Sequence, residues 1–354
     1  MKRILTIVGA RPQFIKAAAI SHTISGMSGS IEEDILHTGQ HYDMAMSGNF
    51  FTELDLPLPK YNLGVGSASQ GKQTALMMSG IEEVMIENSY DGVIVYGDTN
   101  STLAGALVAA KLKVPVYHVE AGLRSFNRNM PEEVNRIVTD HVSSMLFAPT
   151  QTAVTNLLRE GFERDRCVFS GDVMLDNVLH YSSIASRVFP FEPFVLATLH
   201  RDFNTDNPIR LNSILSALND VSECLDVDIL FPLHPRTRHI IEKHEHVRLN
   251  GRVHVLEPLS YLDTLAALQQ AKLVLTDSGG LQKESFFCGK NCVILRPETE
   301  WVEIVDDGAA LLADADPDRI LKAASQLWST TPNKPVQFGD GHAAETIIKH
   351  IVES

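Results

Sequence analysis

Ile4-Leu-Thr-Ile-Val-Gly-Ala-Arg-Pro-Gln-Phe-Ile-Lys16 is the stretch on which the fold turns. A β-branched apolar run stops at Gly9, which permits a tight turn, and Pro12 then falls where the first turn of a helix accepts it. The passage reads as a buried strand, a turn and a helix, the opening of a βαβ unit. Outward from it, short apolar runs alternate with longer amphipathic segments to the end of the chain, the pattern of a parallel sheet. In the first half, strands are expected near Ile4–Val8, Glu33–His37, Gly92–Tyr96, Val116–Val119, Met145–Ala148 and Cys167–Ser170. In the second half they are expected near Phe194–Thr198, Asp228–Pro232, Val253–Leu256, Leu273–Thr276, Cys292–Leu295 and Ala310–Leu312. Each half closes one doubly wound, Rossmann-like sheet, so the fold class is α/β.

The connection lies in Asp172–Pro193, where Phe189-Pro-Phe-Glu-Pro193 interrupts regular structure. We expect an N-terminal domain over 1–175 and a C-terminal domain over 190–341. By analogy with two-domain folds of this kind, a last helix over 342–354 crosses back to the first domain. At 354 residues and 44% apolar composition, the chain fills two ordinary cores.

With 30 Lys plus Arg against 44 Asp plus Glu, the formal charge is -14, and no basic run of nucleic-acid-binding length occurs. Nucleic acid and an anionic membrane are therefore excluded as partners. The first apolar run is too short for a signal peptide, and no stretch reaches the roughly 18 apolar residues that span a bilayer. Four scattered cysteines form no disulfide framework, and a cytoplasmic location follows. Cys288 and Cys292 lack partners at zinc spacing and read as buried thiols. His244-Glu-His246 reads as a solvated face, so no metal is expected there either.

The chemistry gathers at strand ends. After the first strand, Arg11 and Lys16 flank a helix start whose N–H groups suit a diphosphate without Mg²⁺, although a plain turn with two solvated cations has the same sequence. Val93-Ile-Val-Tyr-Gly-Asp-Thr-Asn100 places Asp98 at the carboxyl edge of the sheet, either as a helix N-cap or as a ligand-facing acid. Val116-Tyr-His-Val-Glu-Ala-Gly-Leu-Arg124 repeats the arrangement with Glu120, and Pro131-Glu-Glu-Val-Asn-Arg136 opens a helix with two acids. One of these complements the helix dipole while Glu132 points to the ligand. Further on, Thr198-Leu-His-Arg-Asp202 offers His200 for phosphate binding or proton transfer, and Pro232-Leu-His-Pro-Arg236 offers His234 and Arg236. The strongest local signal is Thr276-Asp-Ser-Gly-Gly-Leu-Gln-Lys-Glu284. There Ser278, Gly279 and Gly280 open a helix toward phosphate, and Glu284 is placed to grip a ribose diol.

Taken in order, these segments resemble the non-hydrolysing UDP-N-acetylglucosamine 2-epimerases. The likeness runs from Gly9-Ala-Arg-Pro…Ile-Lys16 through Gly97-Asp-Thr, His118-Val-Glu-Ala-Gly-Leu-Arg124, Pro131-Glu-Glu…Asn-Arg136, His200-Arg201 and His234-Pro-Arg236 to Thr276-Asp-Ser-Gly-Gly280. It implies two Rossmann-like domains in the GT-B arrangement, with the active site in the interdomain cleft. It also implies a homodimer, a UDP-sugar substrate and no cofactor. Carried over by position, Arg11, Lys16, Asp98, Glu120, Glu132 and His200 would line the reacting sugar and diphosphate, with Ser278, Gly279, Gly280 and Glu284 holding UDP. Where many members carry Arg-Pro-Glu, Gln-Glu-Glu and Thr-Glu-Arg-Pro, this chain has Pro12-Gln13-Phe14, Gln282-Lys283-Glu284 and Glu298-Thr-Glu-Trp-Val-Glu303. That set resembles the branch acting on UDP-2,3-diacetamido-2,3-dideoxy-glucuronate for bacterial surface polysaccharides, and Lys283 is a cation that would suit a uronate.

The proton on carbon 2 of such a sugar has no carbonyl beside it, so bond breaking at carbon 1 must help to release it. The family's route is elimination of UDP to a 2-acetamidoglucal, then return of UDP with protonation on the opposite face. Cations and the Ser278 turn would stabilise departing UDP, and Asp98 and Glu120 lead the acid/base assignment. The competing readings are a hydrolysing epimerase, a GT-B glycosyltransferase and a nucleotide-sugar sensor, the last disfavoured by three carboxylates at one ligand.

Overall fold

The computed structural model describes residues 1–27, 29–39, 51–243 and 248–354, the side chain of Lys243 excepted. His244-Glu-His246 lies outside the described residues. The chain divides into two compact units, one of Met1–Asn177 with Val336–Ser354, the other of Val178–Pro335.

The first unit holds a seven-stranded sheet. Its strands are β1 (Lys2–Val8), β2 (Ile31–His37), β3 (Tyr61–Asn62), β4 (Gly92–Tyr96), β5 (Val116–Val119), β6 (Met145–Ala148) and β7 (Cys167–Phe169), in spatial order β3-β2-β1-β4-β5-β6-β7. The second unit holds six strands: β8 (Phe194–Thr198), β9 (Asp228–Pro232), β10 (Val253–Leu256), β11 (Leu273–Thr276), β12 (Asn291–Ile294) and β13 (Ala310–Leu312), ordered β10-β9-β8-β11-β12-β13. Every pairing in both sheets is parallel. Parallel sheets are covered on both faces, which explains why Ile4, Leu5, Ile7, Val93, Val95, Leu196, Leu273 and Leu275 are all buried whichever way they point. The added strand β3 has two residues and no apolar run, so the alternation gives no signal for it.

In the first sheet the order reverses between β1 and β4, and in the second between β8 and β11. At such a switch point the two adjacent connections leave toward opposite faces and open a crevice at the carboxyl ends of the strands. The segments after these four strands begin at Gly9, Gly97, Leu199 and Asp277, so sheet topology alone gathers most of the motif residues.

The terminal helix Ala343–Glu353 belongs to the first unit, where Ala343, Ala344, Ile347, Ile348 and Ile351 are buried and it packs on the helix Arg11–Gly26. Asp176 closes its start, accepting from the Ala343 and Ala344 N–H groups at 3.1 and 2.8 Å. Among the described residues, no helix is long and apolar enough to cross a membrane.

Candidate active site

The turn after β1 is shaped by Gln13. Its Oε1 accepts from the Gly9 and Ala10 N–H groups at 2.8 and 3.1 Å, and its Nε2 donates to the Tyr96 carbonyl at 3.0 Å and to Thr102 Oγ1 at 2.9 Å. The N–H groups of Gly9 and Ala10 are thus taken by the Gln13 side chain ahead of the helix start. Positive charge at the turn comes instead from side chains. Arg11 stands exposed at the first helical position, and buried Lys16 forms an ion pair with Glu120.

Glu120 sits in the left-handed backbone region at φ 73°, where a residue with a Cβ is uncommon. Such conformations persist only when the surroundings impose them. Here the consecutive N–H groups of Glu120 and Ala121 both donate to the Phe147 carbonyl, at 3.1 and 3.0 Å. Gly97, at φ 62°, faces the pair, and a Cβ there would lie 3.0 Å from Glu120 Oε2 and 3.1 Å from Lys16 Nζ. The ends of β4 and β5 thus meet over one glycine.

Asp98 is not the N-cap that its sequence allowed. Thr99 fills that position, accepting from the Thr102 N–H, and the Asp98 carboxylate pairs with Arg136. Arg136 also binds Glu133 at 2.7 Å, while Asn135 Nδ2 holds the Asp98 carbonyl at 2.9 Å. The two acids that open the helix Pro131–Val142 therefore have different tasks. Glu133 is buried and accepts from the Ser125 and Phe126 N–H groups at 3.0 and 2.9 Å. Burial pushes its carboxyl up, but the Ser125 N–H, the Arg136 guanidinium and the other donors hold it below the usual value. Glu132 is half-buried one turn ahead of Arg136, on the face that residues four apart share.

In the second unit Asp277 organises the switch point. Its carboxylate, fully buried, accepts from the His200 and Arg201 N–H groups at 3.2 and 3.0 Å, from Asn204 Nδ2 at 3.2 Å and from His200 Nδ1 at 2.9 Å. Burial raises the Asp277 carboxyl, yet His200, the Arg201 N–H and Asn204 together hold it lowered. A carboxylate at Nδ1 fixes the ring's tautomer and leaves Nε2 to act on a ligand. The His200 side chain is 48% exposed, as that task requires.

Ser278 caps the helix Gly279–Phe287, whose first-turn N–H groups have no partner within the helix. At Gly279 a Cβ would stand 2.5 Å from Glu300 Oε1, so the 296–301 segment closes directly over the turn. Glu284 is buried beside the Tyr261 phenol, which burial and that carboxylate push upward. His234 Nδ1 accepts from the Arg236 N–H at 3.3 Å. The Arg236 guanidinium pairs with Asp202 at 2.8 Å and Asp206 at 2.6 Å, which joins it to the segment after His200. Lys283 is 1% exposed, with Nζ 4.0 Å from the centre of the Trp301 ring.

A model of the UDP-N-acetylglucosamine 2-epimerase family matches residues 26–352. A relative from Pseudomonas aeruginosa, UDP-2,3-diacetamido-2,3-dideoxy-D-glucuronate 2-epimerase, is 47% identical over 357 residues, covering 99% of each chain. The UDP-N-acetylglucosamine 2-epimerase of Methanocaldococcus jannaschii is 41% identical over 356 residues, covering 97% of each. The crystal structure of the Methanocaldococcus jannaschii UDP-GlcNAc 2-epimerase in complex with UDP-GlcNAc and UDP superposes with a TM-score of 0.92 at 40% identity, over 99% of this chain and 100% of that one. The chain belongs to the UDP-N-acetylglucosamine 2-epimerase family.

This epimerase is a carbohydrate isomerase, and its relatives do not favour the glycosyltransferase or hydrolysing alternatives. Its sequence displays the acids at the strand ends but hides what orients them. Asp277 lies inside the Thr276–Glu284 motif without any feature that marks it as the anchor of His200. His118 and Asp140, which join the β4 and β5 turns, are 22 residues apart. The only local sign is a His at a strand position where both neighbours, Tyr117 and Val119, read as core.

Proposed function

We propose that this epimerase inverts carbon 2 of UDP-2,3-diacetamido-2,3-dideoxy-D-glucuronate, giving the manno-configured sugar for a bacterial surface polysaccharide. The observation that carries the chemistry is the first unit's switch point. There Glu120, paired with Lys16, and Asp98, paired with Arg136, stand at adjacent strand ends, with Glu132 on the neighbouring helix. The choice of sugar draws on the 47% identity to the Pseudomonas aeruginosa enzyme along the full chain.

In this reading one carboxylate removes the carbon-2 proton as the bond from carbon 1 to the UDP oxygen breaks, leaving a 2-acetamidoglucal. UDP then returns to carbon 1 while a second acid protonates carbon 2 from the opposite face. Two acids at different strand ends serve two faces, which a single one does not. Asp98 and Glu120 are the leading pair and Glu132 the third candidate. Arg11, Lys16 and His200 stabilise the departing diphosphate, as does the helix start at Ser278, Gly279 and Gly280. Glu284 holds the ribose, and His234 and Arg236 border the nucleotide site. The protein acts as a homodimer in the cytoplasm, where its four unpaired thiols suit a reducing environment.

The test is incubation in D₂O with UDP-N-acetylglucosamine and, separately, with the diacetamido uronate, followed by NMR. Deuterium at carbon 2 and a manno product from the uronate are expected, with both lost in Asp98→Asn and Glu120→Gln while UDP still binds. Turnover of the simple sugar alone would overturn the choice of sugar. Stoichiometric release of UDP would indicate hydrolysis, and light scattering checks the dimer.

A further inference from the structure

Both ring nitrogens of His118 face acceptors. Nε2 lies 2.8 Å from the Gly97 carbonyl oxygen and Nδ1 lies 2.6 Å from Asp140 Oδ1. A carbonyl oxygen has no proton to give, so Nε2 donates. Asp140 also accepts from the Gly122 N–H at 3.2 Å and pairs with Arg124 Nη1 at 2.8 Å. Burial pushes the Asp140 carboxyl up, but His118 and Arg124 outweigh it and hold the group lowered. With the Arg124 guanidinium and the Gly122 N–H both on its Oδ2, Asp140 is a carboxylate, and Nδ1 donates to its Oδ1 as well. A ring that donates from both nitrogens carries a positive charge.

We propose that His118 is a buried imidazolium and a positioning residue for the epimerisation: it holds the Gly97–Asp98 turn through the Gly97 carbonyl and the Glu120–Gly122 turn through Asp140. The inference rests on the epimerase reading, in which those turns carry the acid and the base. The His118 and Asp140 side chains are both wholly buried, where an unpaired charge would be costly. Here the charges balance. Asp140, on the helix Pro131–Val142, faces the ring, Arg124 stands behind Asp140, and Glu160 grips Arg124 through both its oxygens at 2.7 and 2.6 Å. Lys16 and Glu120 lie across Gly97 from the ring. His118 and Arg124 thus tie the ends of β4 and β5 to the helix Pro131–Val142 through Asp140, and Glu160, at the end of the helix Gln151–Arg159, balances the second cation. A neutral ring would have one nitrogen unable to donate, leaving either the left-handed Gly97 peptide or Asp140 without its partner.

The experiment is ¹⁵N NMR of histidine-labelled protein at about pH 8, where an ordinary imidazole near 6.5 is mostly neutral, with His118→Gln assigning the resonance. Two protonated-type nitrogens on one ring are expected. A pyrrole-type and a pyridine-type pair would overturn the charge assignment. Kinetics then test the positioning role. His118→Gln should lower kcat by roughly 10- to 100-fold, the scale of a small misplacement of reacting groups. KM should stay within about twofold, because the second unit's nucleotide contacts are untouched, and unchanged UDP affinity controls for folding. Full kcat in a folded His118→Gln would overturn the role. If that variant does not fold, Asp140→Asn is held to the same kcat and KM criteria. A wild type without exchange at carbon 2 would sink the epimerase reading and the positioning role together, while the NMR signature of the ring is judged independently.

Discussion

Replacing Asp277 by Asn removes one of the two oxygens that receive the His200 and Arg201 N–H groups, the Asn204 amide and the His200 ring. The new amide also aims its own hydrogens at donors. Hydrogen bonds to a charged group are worth roughly 1.5–3 kcal/mol each, and the lower figure applies here because the His200 ring is half-exposed. Losing two of the four contacts should therefore destabilise the second unit by about 3 kcal/mol. For a unit of this size that corresponds to a fall in Tm of roughly 6–12 °C, read by calorimetry. His200→Ala is the internal control. It keeps the other donors on Asp277 and truncates a half-exposed side chain, so it should cost less than about 1 kcal/mol. Asp277 has a lowered folded-state value, so its stabilisation is complete above the unfolded carboxylate value near 3.9 and fades as pH falls through that value toward the folded one. The gap between Asp277→Asn and wild type should thus be full at pH 7 and close in acid. A loss below about 1 kcal/mol, or an equal loss in His200→Ala, would refute the assignment of Asp277 as the anchor.

Gly122→Ala should be more damaging, by over about 3 kcal/mol: at φ 80° its Cβ would lie 2.5 Å from the Ala153 carbonyl oxygen, a backbone atom that cannot swing aside. Soluble yield and urea unfolding read it. Lys283→Met should lower stability by about 1–2 kcal/mol through loss of the Trp301 contact, with the preference between uronate and unsubstituted sugar changed less than about threefold. A larger change in the kinetic competition would make Lys283 a substrate contact. In the native protein a thiol reagent should modify Cys224 first, because it is exposed. Cys292 is buried, and burial raises both it and Cys288 to about 12, so these two should react only on unfolding.

The parts of the sheets that were legible in sequence are those whose strands are buried on both faces. Val93-Ile-Val-Tyr96 and Leu273-Val-Leu-Thr276 are unbroken apolar or β-branched runs because both of their faces are covered. Tyr61-Asn62 carries no such mark, since an edge strand of two residues is set by its neighbour. The acids at the strand ends were legible because parallel strands deliver their carboxyl ends to one edge. Their partners were not, because Gln13 meets Thr102 and Lys16 meets Glu120 only after the crossovers have formed. Lys283 shows the limit most clearly: residue type gives its charge, and only packing shows that the ammonium lies against Trp301.

The helix Ala343–Glu353 also bears on how the chain is made. Its apolar face covers the helix Arg11–Gly26, yet roughly 160 residues of the other unit are encoded between Asn177 and Val336. At about 5–20 residues per second, a ribosome needs on the order of 10–30 s to traverse them. Throughout that interval the first sheet is complete but one of its helices waits uncovered. Chaperone binding to stalled nascent chains should therefore persist past the emergence of β7 and end only when Ala343–Glu353 has cleared the exit tunnel.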